Sequence, residues 1–404
     1  MPAAPLPMRV VAAILVVVGA LYVARGSYFL FTSSGDFSLR WTEQHYVFRG
    51  KGPAEVWEHQ DALTRGVPVP ARSLHATLEP DLGKTDGAYP PWAYVTGAAF
   101  TWPSNMEAAR VLYGVINLAV LAWLLRWAFG CAAGAGSLPG WFLAASVLAT
   151  SSICTTLGLG QYGVLVLAAL AGTIVSAERG RWLVAGLLLG IALTKVTLAA
   201  PFVVPLLFGK HFKTVATAGA YVACASVVIW LQVGTDPLTL LLAMFSAAEH
   251  FAQGGYSMVD LLVLLGMDTL PAMVVAALGT VVISSAVMWS TRHSSLLMQF
   301  ALAGVASRLW TYHTLCDNLI VVFLLMALGT QALHSKSARL AFVVTGLTLW
   351  PPGQACDFEW FRAFQLSAWI ACSAVLVLRL RELAQEQPGA AAITNPVHAV
   401  ANPG

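Results

Sequence analysis

Residues 182–208 read WLVAGLLLGIALTKVTLAAPFVVPLLF, an apolar run in which Lys195 is the single charged side chain. The run is longer than the about 20 residues that one membrane-spanning helix needs. Pro201 and Pro205 interrupt it, and a proline inside a helix removes a backbone hydrogen bond and clashes with the preceding turn. We therefore predict two short helices divided near Val196, rather than one long helix.

The rest of the chain has the same apolar character. Its 404 residues are 58% hydrophobic and 10% charged, with a mean hydropathy of +0.73, whereas a soluble domain carries about 25% charged residues. This composition leaves too little polar surface for a water-soluble protein of this length. It excludes a soluble multi-domain enzyme, a disordered chain and a disulfide-rich secreted scaffold, and it indicates an integral membrane protein.

Charge and cysteine usage bear on partners and cofactors. The formal net charge of +3 is too small to indicate nucleic-acid binding. The six cysteines are scattered, without the spacing typical of a zinc site or a disulfide framework. Asp357 and Glu359 lack a third ligand for a metal ion. We therefore expect no nucleic-acid partner, no metal and no other cofactor.

Apolar runs along the chain predict an all-α polytopic membrane protein with about 12 transmembrane helices. Several runs are shorter than 20 residues, so these helices must tilt, pair closely or line a cavity. Tyr89–Pro103 and Val259–Gly266 are shorter still, and we interpret them as re-entrant or interfacial helices. The predicted spans are Val10–Phe31, Glu107–Trp127, Leu138–Leu157, Tyr162–Ala177, Trp182–Val196, Thr197–Phe208, Thr214–Val233, Leu270–Ser290, Ser295–Leu309, Thr314–Leu333, Leu340–Trp350 and Phe364–Leu380.

The charged residues predict how the chain is oriented. Residues 32–88 carry six basic and eight acidic side chains, of 22 and 19 in the whole chain, and we predict that they form a long first extracytoplasmic loop. On the side of the two termini, the spans leave eleven basic but only three acidic residues, an excess that is typical of the cytoplasmic side. Residues 1–383 are predicted to form a single transmembrane domain, and residues 384–404 a disordered cytoplasmic tail.

Three polar residues lie at the predicted outer boundary of the membrane. Asp36 follows the first span and is either a helix cap, a solvated loop acid or a general base. Tyr89 opens a Tyr-Pro-Pro-Trp segment, where prolines suit a helix start and the aromatic rings suit an interfacial anchor. Gln161 ends a Gly-Leu-Gly-Gln turn and is either a plain turn residue or a hydrogen-bond partner for a sugar or phosphate.

A second polar group is predicted on the same side. Lys195 ends a short apolar helix and either extends its amine to the interface or contacts an anion. The segment SRLWTYHTLCD, residues 307–317, is the densest polar segment between two apolar runs. It forms either a tight loop closed by an Arg308–Asp317 ion pair or an anion-binding rim. In the rim, Arg308 donates to a phosphate and His313 donates or exchanges a proton.

Six motifs follow one another in the order Asp36, Gly50–Pro53, Tyr89–Pro91, Gly160–Gln161, Gly186–Lys195 and Trp310–His313. In this order they resemble glycosyltransferase family 87, polyprenol-phosphate-sugar-dependent enzymes of the GT-C fold class. The resemblance extends over residues 30–333. The chain departs from the family pattern after Asp36, where Arg40 stands in a segment expected to be aromatic.

The resemblance implies a GT-C-like fold and a hexosyltransferase. A hexose, with mannose as the family's best-known case, would move from a polyprenyl-phosphate sugar to a hydroxyl of a glycolipid or glycan. The reaction would be an inverting displacement at the outer face of a bacterial inner membrane, with membrane lipid as a further partner and no cofactor.

A mechanistic hypothesis that joins this resemblance to the chemistry of the residues gives each site residue a role. Asp36 would be the catalytic base that deprotonates the acceptor hydroxyl. Lys195, Arg308 and His313 would bind the donor phosphate, and no metal would be required. The sugar and the acceptor would be positioned by Tyr89, Gln161, Trp310, Tyr312 and Asp317.

Two other classes of protein fit the same composition. A transporter or flippase of a lipid-linked or small polar substrate predicts charged sites near the bilayer midplane, often within inverted repeats. A non-catalytic scaffold of a cell-envelope assembly predicts the same fold without the chemistry. The candidate residues cluster at one predicted face and the span interiors are nearly free of charge, which favours a reaction of lipid-linked substrates at the interface.

Overall fold

The computed structural model describes residues 6–33, 35–52, 89–242, 244, 257–311, 313–353, 355 and 358–386. The regular elements that it gives for these ranges are all helical, as the apolar runs predicted. The α-helices are α1 Leu6–Ser33, α2 Gly35–Phe48, α3 Pro91–Thr101, α4 Met106–Ala133, α5 Ser137–Leu148, α6 Ser151–Leu159, α7 Gly163–Glu178, α8 Trp182–Ala192, α9 Val196–Ala199, α10 Val203–Phe208, α11 Phe212–Val233, α12 Met258–Leu264, α13 Thr269–Ser290, α14 Leu296–Leu309, α15 Val322–Gln331, α16 Lys336–Leu349 and α17 Glu359–Glu386. Short 3₁₀ helices cover Leu193–Lys195, Ala200–Phe202 and Leu315–Val321.

Several of these helices are suited to a membrane, so the protein is a multi-pass membrane protein. Within the described residues, six are long and apolar enough to cross a bilayer, and α5 with α6, bent by 47°, makes a seventh candidate. Gly163–Glu178, Leu296–Leu309 and Leu315–Gln331 are apolar but shorter. The helices follow the predicted apolar runs, but the described residues do not contain twelve separate full-length spans. The short ones lie among other helices, where neighbouring side chains surround them.

The run at residues 182–208 counts as one candidate span by length and composition, yet its packing shows that the chain turns back. Gly186 lies against Thr214 and Thr217, so α8 and the start of α11 are neighbours. A straight helix from Gly186 to Phe208 would be about 33 Å long. The six residues from Phe208 to Thr214 reach at most about 21 Å, which is too short to return to Gly186.

The contacts of the second half show where the turn lies. Ser307 Oγ of α14 donates to the carbonyl oxygen of Leu198 at 2.9 Å, and Phe202 packs against Phe300 of the same helix with ring centroids 5.0 Å apart. Residues 198–202 therefore run antiparallel to α14. The run is a helical hairpin with its tip at the 3₁₀ turn Leu193–Lys195, and these contacts support the predicted division near Val196.

The prediction of a continuous loop over residues 32–88 is wrong at its beginning. Residues 35–48 form helix α2, in which Thr42 and Glu43 are fully buried. Polar side chains can be buried here because neighbouring helices supply partners: Arg110 donates to Ser38 Oγ at 2.7 Å, and Trp41 Nε1 donates to the Pro103 carbonyl at 2.9 Å. The remainder of the predicted loop, residues 53–88, lies outside the described residues.

Two smaller predictions are modified. The segment Tyr89–Pro103 forms the 11-residue helix α3, which is too short to span, but its side chains Trp92, Tyr94 and Phe100 are buried rather than interfacial. The predicted tail begins too early, because α17 continues to Glu386. Residues 387–404 of that tail lie outside the described residues.

The helix bundle has two chemically different ends. The end that holds the start of α2, the Gly160–Gln161 turn, the hairpin tip and the turn after α14 is called the polar end. We call the basic end the opposite one, where α7, α10, α13 and α15 terminate. Contacts such as Lys213 over the Trp182 ring, 5.9 Å from its centroid, join the turns of the basic end.

Candidate active site

A chain of hydrogen bonds at the polar end joins four of the predicted site residues. Gln161 Nε2 donates to Asp36 Oδ2 at 2.7 Å. Lys195 Nζ donates to Gln161 Oε1 at 2.9 Å and to Asp317 Oδ1 at 2.5 Å. These four residues are far apart in the sequence, which predicted only that they lie on the same side of the membrane. The fold brings them into one hydrogen-bonded chain.

Gln161 is the centre of this chain, and its backbone is fixed by its neighbours. Gly160 has φ +72°, and a Cβ at this position would lie 2.5 Å from the Phe37 side chain. The turn therefore needs glycine. Tyr113 Oη donates to the Gln161 carbonyl at 2.7 Å.

The amide orientation of Gln161 follows from its partners. Lys195 Nζ and Cys316 Sγ both donate to Gln161 Oε1, at 2.9 and 2.8 Å. The reverse orientation would place the amide N–H groups against these donors and the amide oxygen against the Asp36 carboxylate. Gln161 therefore connects an anion and a cation through one planar group.

Lys195 lies at a break in helical structure. Two backbone carbonyl oxygens near this break accept hydrogen bonds from tryptophan indole N–H groups. Trp92 Nε1 donates to the Leu193 carbonyl at 2.9 Å, and Trp310 Nε1 donates to the Thr197 carbonyl at 2.7 Å. Non-helical backbone inside a membrane protein is tolerated where such partners exist. The N–H of Trp310, which we predicted to position the sugar, is thus used to hold the hairpin tip that presents Lys195.

Asp317 is held from two sides. It lies in a reciprocal cap with Thr314, whose backbone N–H donates to Asp317 Oδ2 at 3.0 Å. The ion partner of Asp317 is Lys195, at 2.5 Å, rather than Arg308, as one interpretation of the sequence expected. His313 Nδ1 lies 3.3 Å from Asp317 Oδ2.

His313 and Arg308 lie next to this pair. Burial and the nearby Arg308 charge lower the pKa of His313 to about 4, so the ring is neutral near pH 7. With Nδ1 donating to the carboxylate, Nε2 carries the lone pair, and among the described residues it has no hydrogen-bond partner. Arg308 is buried, with its guanidinium carbon 5.8 Å from the centroid of the Trp369 ring.

Sequence reasoning missed an ion pair on α2. Arg40 Nη1 lies 2.5 Å from Glu43 Oε2, and the Arg40 guanidinium lies over the ring of the predicted residue Tyr89, 4.3 Å from its centroid. Asp36, Arg40 and Glu43 are spaced by four and three residues, a pattern typical of one helix face. That spacing could have indicated the helix, had residues 32–88 not been interpreted as a loop.

Two further predictions concern Tyr312 and the absence of a metal site. Tyr312, which we predict to position the sugar or the acceptor, lies outside the described residues. Across the described ranges, no three His, Cys, Asp or Glu side chains are grouped in a way that could hold a metal ion. Chemically, the polar end offers a carboxylate, a half-buried ammonium, a neutral imidazole and a guanidinium close together.

Comparison with known proteins adds the family. The model of glycosyltransferase family 87 matches residues 88–311, more than half of the 404-residue chain. The match includes Tyr89, Gln161, Lys195 and Arg308, whereas Asp36 lies before it. Searches of the curated proteins and of the solved structures found no match. The helical membrane architecture and the family match agree, and the chain belongs to glycosyltransferase family 87, as a membrane glycosyltransferase.

Proposed function

We propose that the protein transfers a hexose, with mannose as the first candidate, from a polyprenyl-phosphate sugar to a hydroxyl of a glycolipid or glycan. The observation that carries the proposal is the hydrogen-bonded connection from Asp36 through Gln161 to Lys195. It places a carboxylate that can act as a base two hydrogen bonds from a half-buried cation. Such a pair suits a reaction in which a hydroxyl loses a proton while a phosphate leaves.

Lys195 and Arg308 bind the donor phosphate in this proposal. Asp317 keeps the Lys195 amine charged and fixed, and the phosphate oxygens take the place of one of its present acceptors. Charges interact more strongly in this buried cluster than in water, because screening is weaker. When the phosphate arrives next to His313, its negative charge favours the imidazolium, and Nε2 then donates to the phosphate.

The proposed chemical step is a single displacement. Asp36 takes the proton of the acceptor hydroxyl as its oxygen forms a bond to the anomeric carbon. The bond from that carbon to the phosphate oxygen breaks, and the polyprenyl phosphate leaves with the bonding electron pair. Inversion at the anomeric carbon follows, because the attacking and leaving oxygens lie on opposite faces.

The remaining predicted residues position the substrates. Gln161 keeps the base and the Lys195 amine at a fixed separation, and Asp317 sets the direction of the amine. Tyr89 offers an aromatic ring beside the cluster, next to Tyr162 with ring centroids 5.1 Å apart. Trp310, directly after α14, and Tyr312, two residues further along the sequence, bind the sugar in this proposal.

The charge distribution supports a reaction at the outer face of the membrane, which we propose, from the family resemblance, to be a bacterial inner membrane. Helix α1 runs toward the polar end and α17 runs away from it, so Leu6 at the start of α1 and Glu386 at the end of α17 lie on the side of the basic end. Lys and Arg mark the cytoplasmic side of a membrane protein. Basic residues of that end are Arg179, Arg181, Lys210, Lys213, Arg292, Lys336, Arg339, Arg379 and Arg381.

The test is a transfer assay with a panel of donors. The purified protein is incubated with polyprenyl-phosphate mannose, glucose and galactose and an alkyl mannoside as acceptor, and the products are identified by mass spectrometry. We expect an extended alkyl glycoside and free polyprenyl phosphate with at least one donor. Uptake of substrate into proteoliposomes without any glycosyl product would overturn the proposal in favour of a transporter.

A further inference from the structure

Helix α2 carries a second polar cluster beside the base. Arg40 pairs with Glu43 at 2.5 Å, Tyr94 Oη of α3 donates to the same Glu43 oxygen at 3.4 Å, and Tyr89 lies under the Arg40 guanidinium. Asp36, Arg40 and Glu43 share one face of the helix, because their spacing is close to whole helical turns. The cluster therefore lies on the same face of α2 as Asp36, one to two helical turns further along the helix.

Glu43 has an unused hydrogen-bonding atom. Its side chain is fully buried, and Oε2 takes both of the described contacts, from Arg40 and Tyr94. Oε1 is buried and has no partner among the described residues. A buried carboxylate oxygen without a donor is costly to a folded protein, and a hydroxyl is a neutral donor that can satisfy it.

The direction of the proposed reaction assigns this cluster to one substrate. In an inverting displacement the acceptor oxygen approaches the anomeric carbon from the face opposite the phosphate. The phosphate lies by Lys195 in the proposed function, which is joined to Asp36 through Gln161. The acceptor hydroxyl must lie against Asp36, so the acceptor ring that carries it lies beside the face of α2 that also holds Arg40 and Glu43.

We propose that Arg40 and Glu43 form the acceptor subsite, in which they bind hydroxyl groups of a sugar ring next to the reacting hydroxyl. Arg40 donates through its guanidinium fork, and Glu43 Oε1 accepts. Paired donors and acceptors of this kind match the neighbouring hydroxyls of a hexose, whereas a simple alcohol has nothing to offer them. The assignment rests on the proposed function.

The test compares two acceptor probes of equal chain length, n-octyl α-D-mannopyranoside and 1-octanol, with one labelled donor. The wild type is expected to prefer the mannoside. Glu43→Gln and Arg40→Gln should each lower kcat/KM for the mannoside by about tenfold or more, the size of one lost hydrogen bond to a charged group. The loss should lie mainly in the KM for the mannoside, and the values for 1-octanol and the KM for the donor should change much less.

Controls separate the possible outcomes. Glu107→Gln removes an exposed acid at the same end of the bundle and should keep the preference for the mannoside. Arg40→Lys keeps the positive charge but lacks the forked guanidinium, so it should lose part of the preference for the mannoside. It serves as the second variant if Glu43→Gln aggregates during purification. An unchanged mannoside preference in Arg40→Gln and Glu43→Gln would overturn the subsite while the proposed function stands. A wild type that transfers to neither probe would overturn the proposed function itself.

Discussion

The polar and basic ends of the bundle use charge in opposite ways. At the polar end, Asp317 is buried against Lys195, and Glu43 is buried against Arg40. At the basic end several charged side chains are exposed, as with Glu382, whose side chain is 60% exposed beside Arg379. Removing charges from water is expensive, and a buried pair is often no more stable than apolar residues in its place.

This difference indicates what each set of charges does. Buried pairs that do not increase stability are retained where a function needs a charge at a fixed position. Exposed basic residues need no fixed geometry to orient a protein in a membrane. We therefore expect substitutions at the polar end to have large and specific effects, and single substitutions at the basic end to have small ones.

The largest effect is expected for Asp36→Asn. The amide keeps the shape of the side chain but removes the base, so transfer should fall by about 10³-fold, the usual size of general-base catalysis. Binding of the polyprenyl-phosphate sugar, measured at equilibrium, should remain. Asp268→Asn, at an exposed helix N-terminus in α13, is the matched control and should leave transfer unchanged. Full activity of Asp36→Asn would contradict the assignment of the base.

Lys195→Met should affect both stability and transfer. It leaves Asp317 as a buried anion without its cation, which costs about 3–5 kcal/mol in the free energy of unfolding. Adding Asp317→Asn should recover most of that loss, because the buried charge is then gone. Transfer should stay low in the double variant if Lys195 binds the phosphate. Recovery of transfer together with stability would show that Lys195 has only a structural role.

Gln161→Leu should lower transfer by about 10- to 100-fold, the loss of hydrogen bonds to two charged groups. Both Asp36 and Lys195 remain in this variant, so the measurement tests whether their separation matters. Leu159→Ala, an exposed apolar position in the same turn, provides the control. Equal kcat/KM for Gln161→Leu and the wild type would remove Gln161 from the mechanism.

The pH dependence of stability should reveal His313. Its pKa is lowered to about 4 in the folded protein, below the about 6.5 of an unperturbed histidine. Between these values the unfolded chain binds a proton that the folded protein does not, so stability falls as the pH falls. His313→Gln should flatten the decrease of Tm between pH 6.5 and 4. The same slope in both proteins would contradict a neutral, buried His313.

The smallest effect is expected at the basic end. Arg181→Gln removes an exposed charge before α8, and the free energy of unfolding should change by less than about 0.5 kcal/mol. Transfer by the purified variant should equal that of the wild type. A loss of transfer comparable to that of Gln161→Leu would mean that the two ends do not differ as we describe.

The sequence was informative wherever a polar residue interrupts an apolar run. Asp36, Gln161 and Lys195 were identified because each stands next to long stretches without charge. Their connection was not predictable, because it depends on where the hairpin tip lies relative to the Gly160–Gln161 turn. For the same reason the sequence offered only Arg308 as an ion partner for Asp317, whereas the fold brings Lys195 to it.

Helix α2 shows where composition misleads. Residues 35–48 are polar enough to suggest a solvated loop, but their partners on α3 and α4 allow them to be buried. Such partners are distant in sequence, and no local pattern contains them. The acceptor subsite that we propose, Arg40 and Glu43, lies on this helix.

The most direct test of the account supplies one hexose in two forms, as a polyprenyl phosphate and as a nucleotide diphosphate, to the purified wild-type protein with the same alkyl mannoside acceptor. Initial rates of labelled product formation are compared. We predict product from the lipid-linked donor and none from the nucleotide sugar. Product from the nucleotide sugar at an equal or higher rate would contradict it.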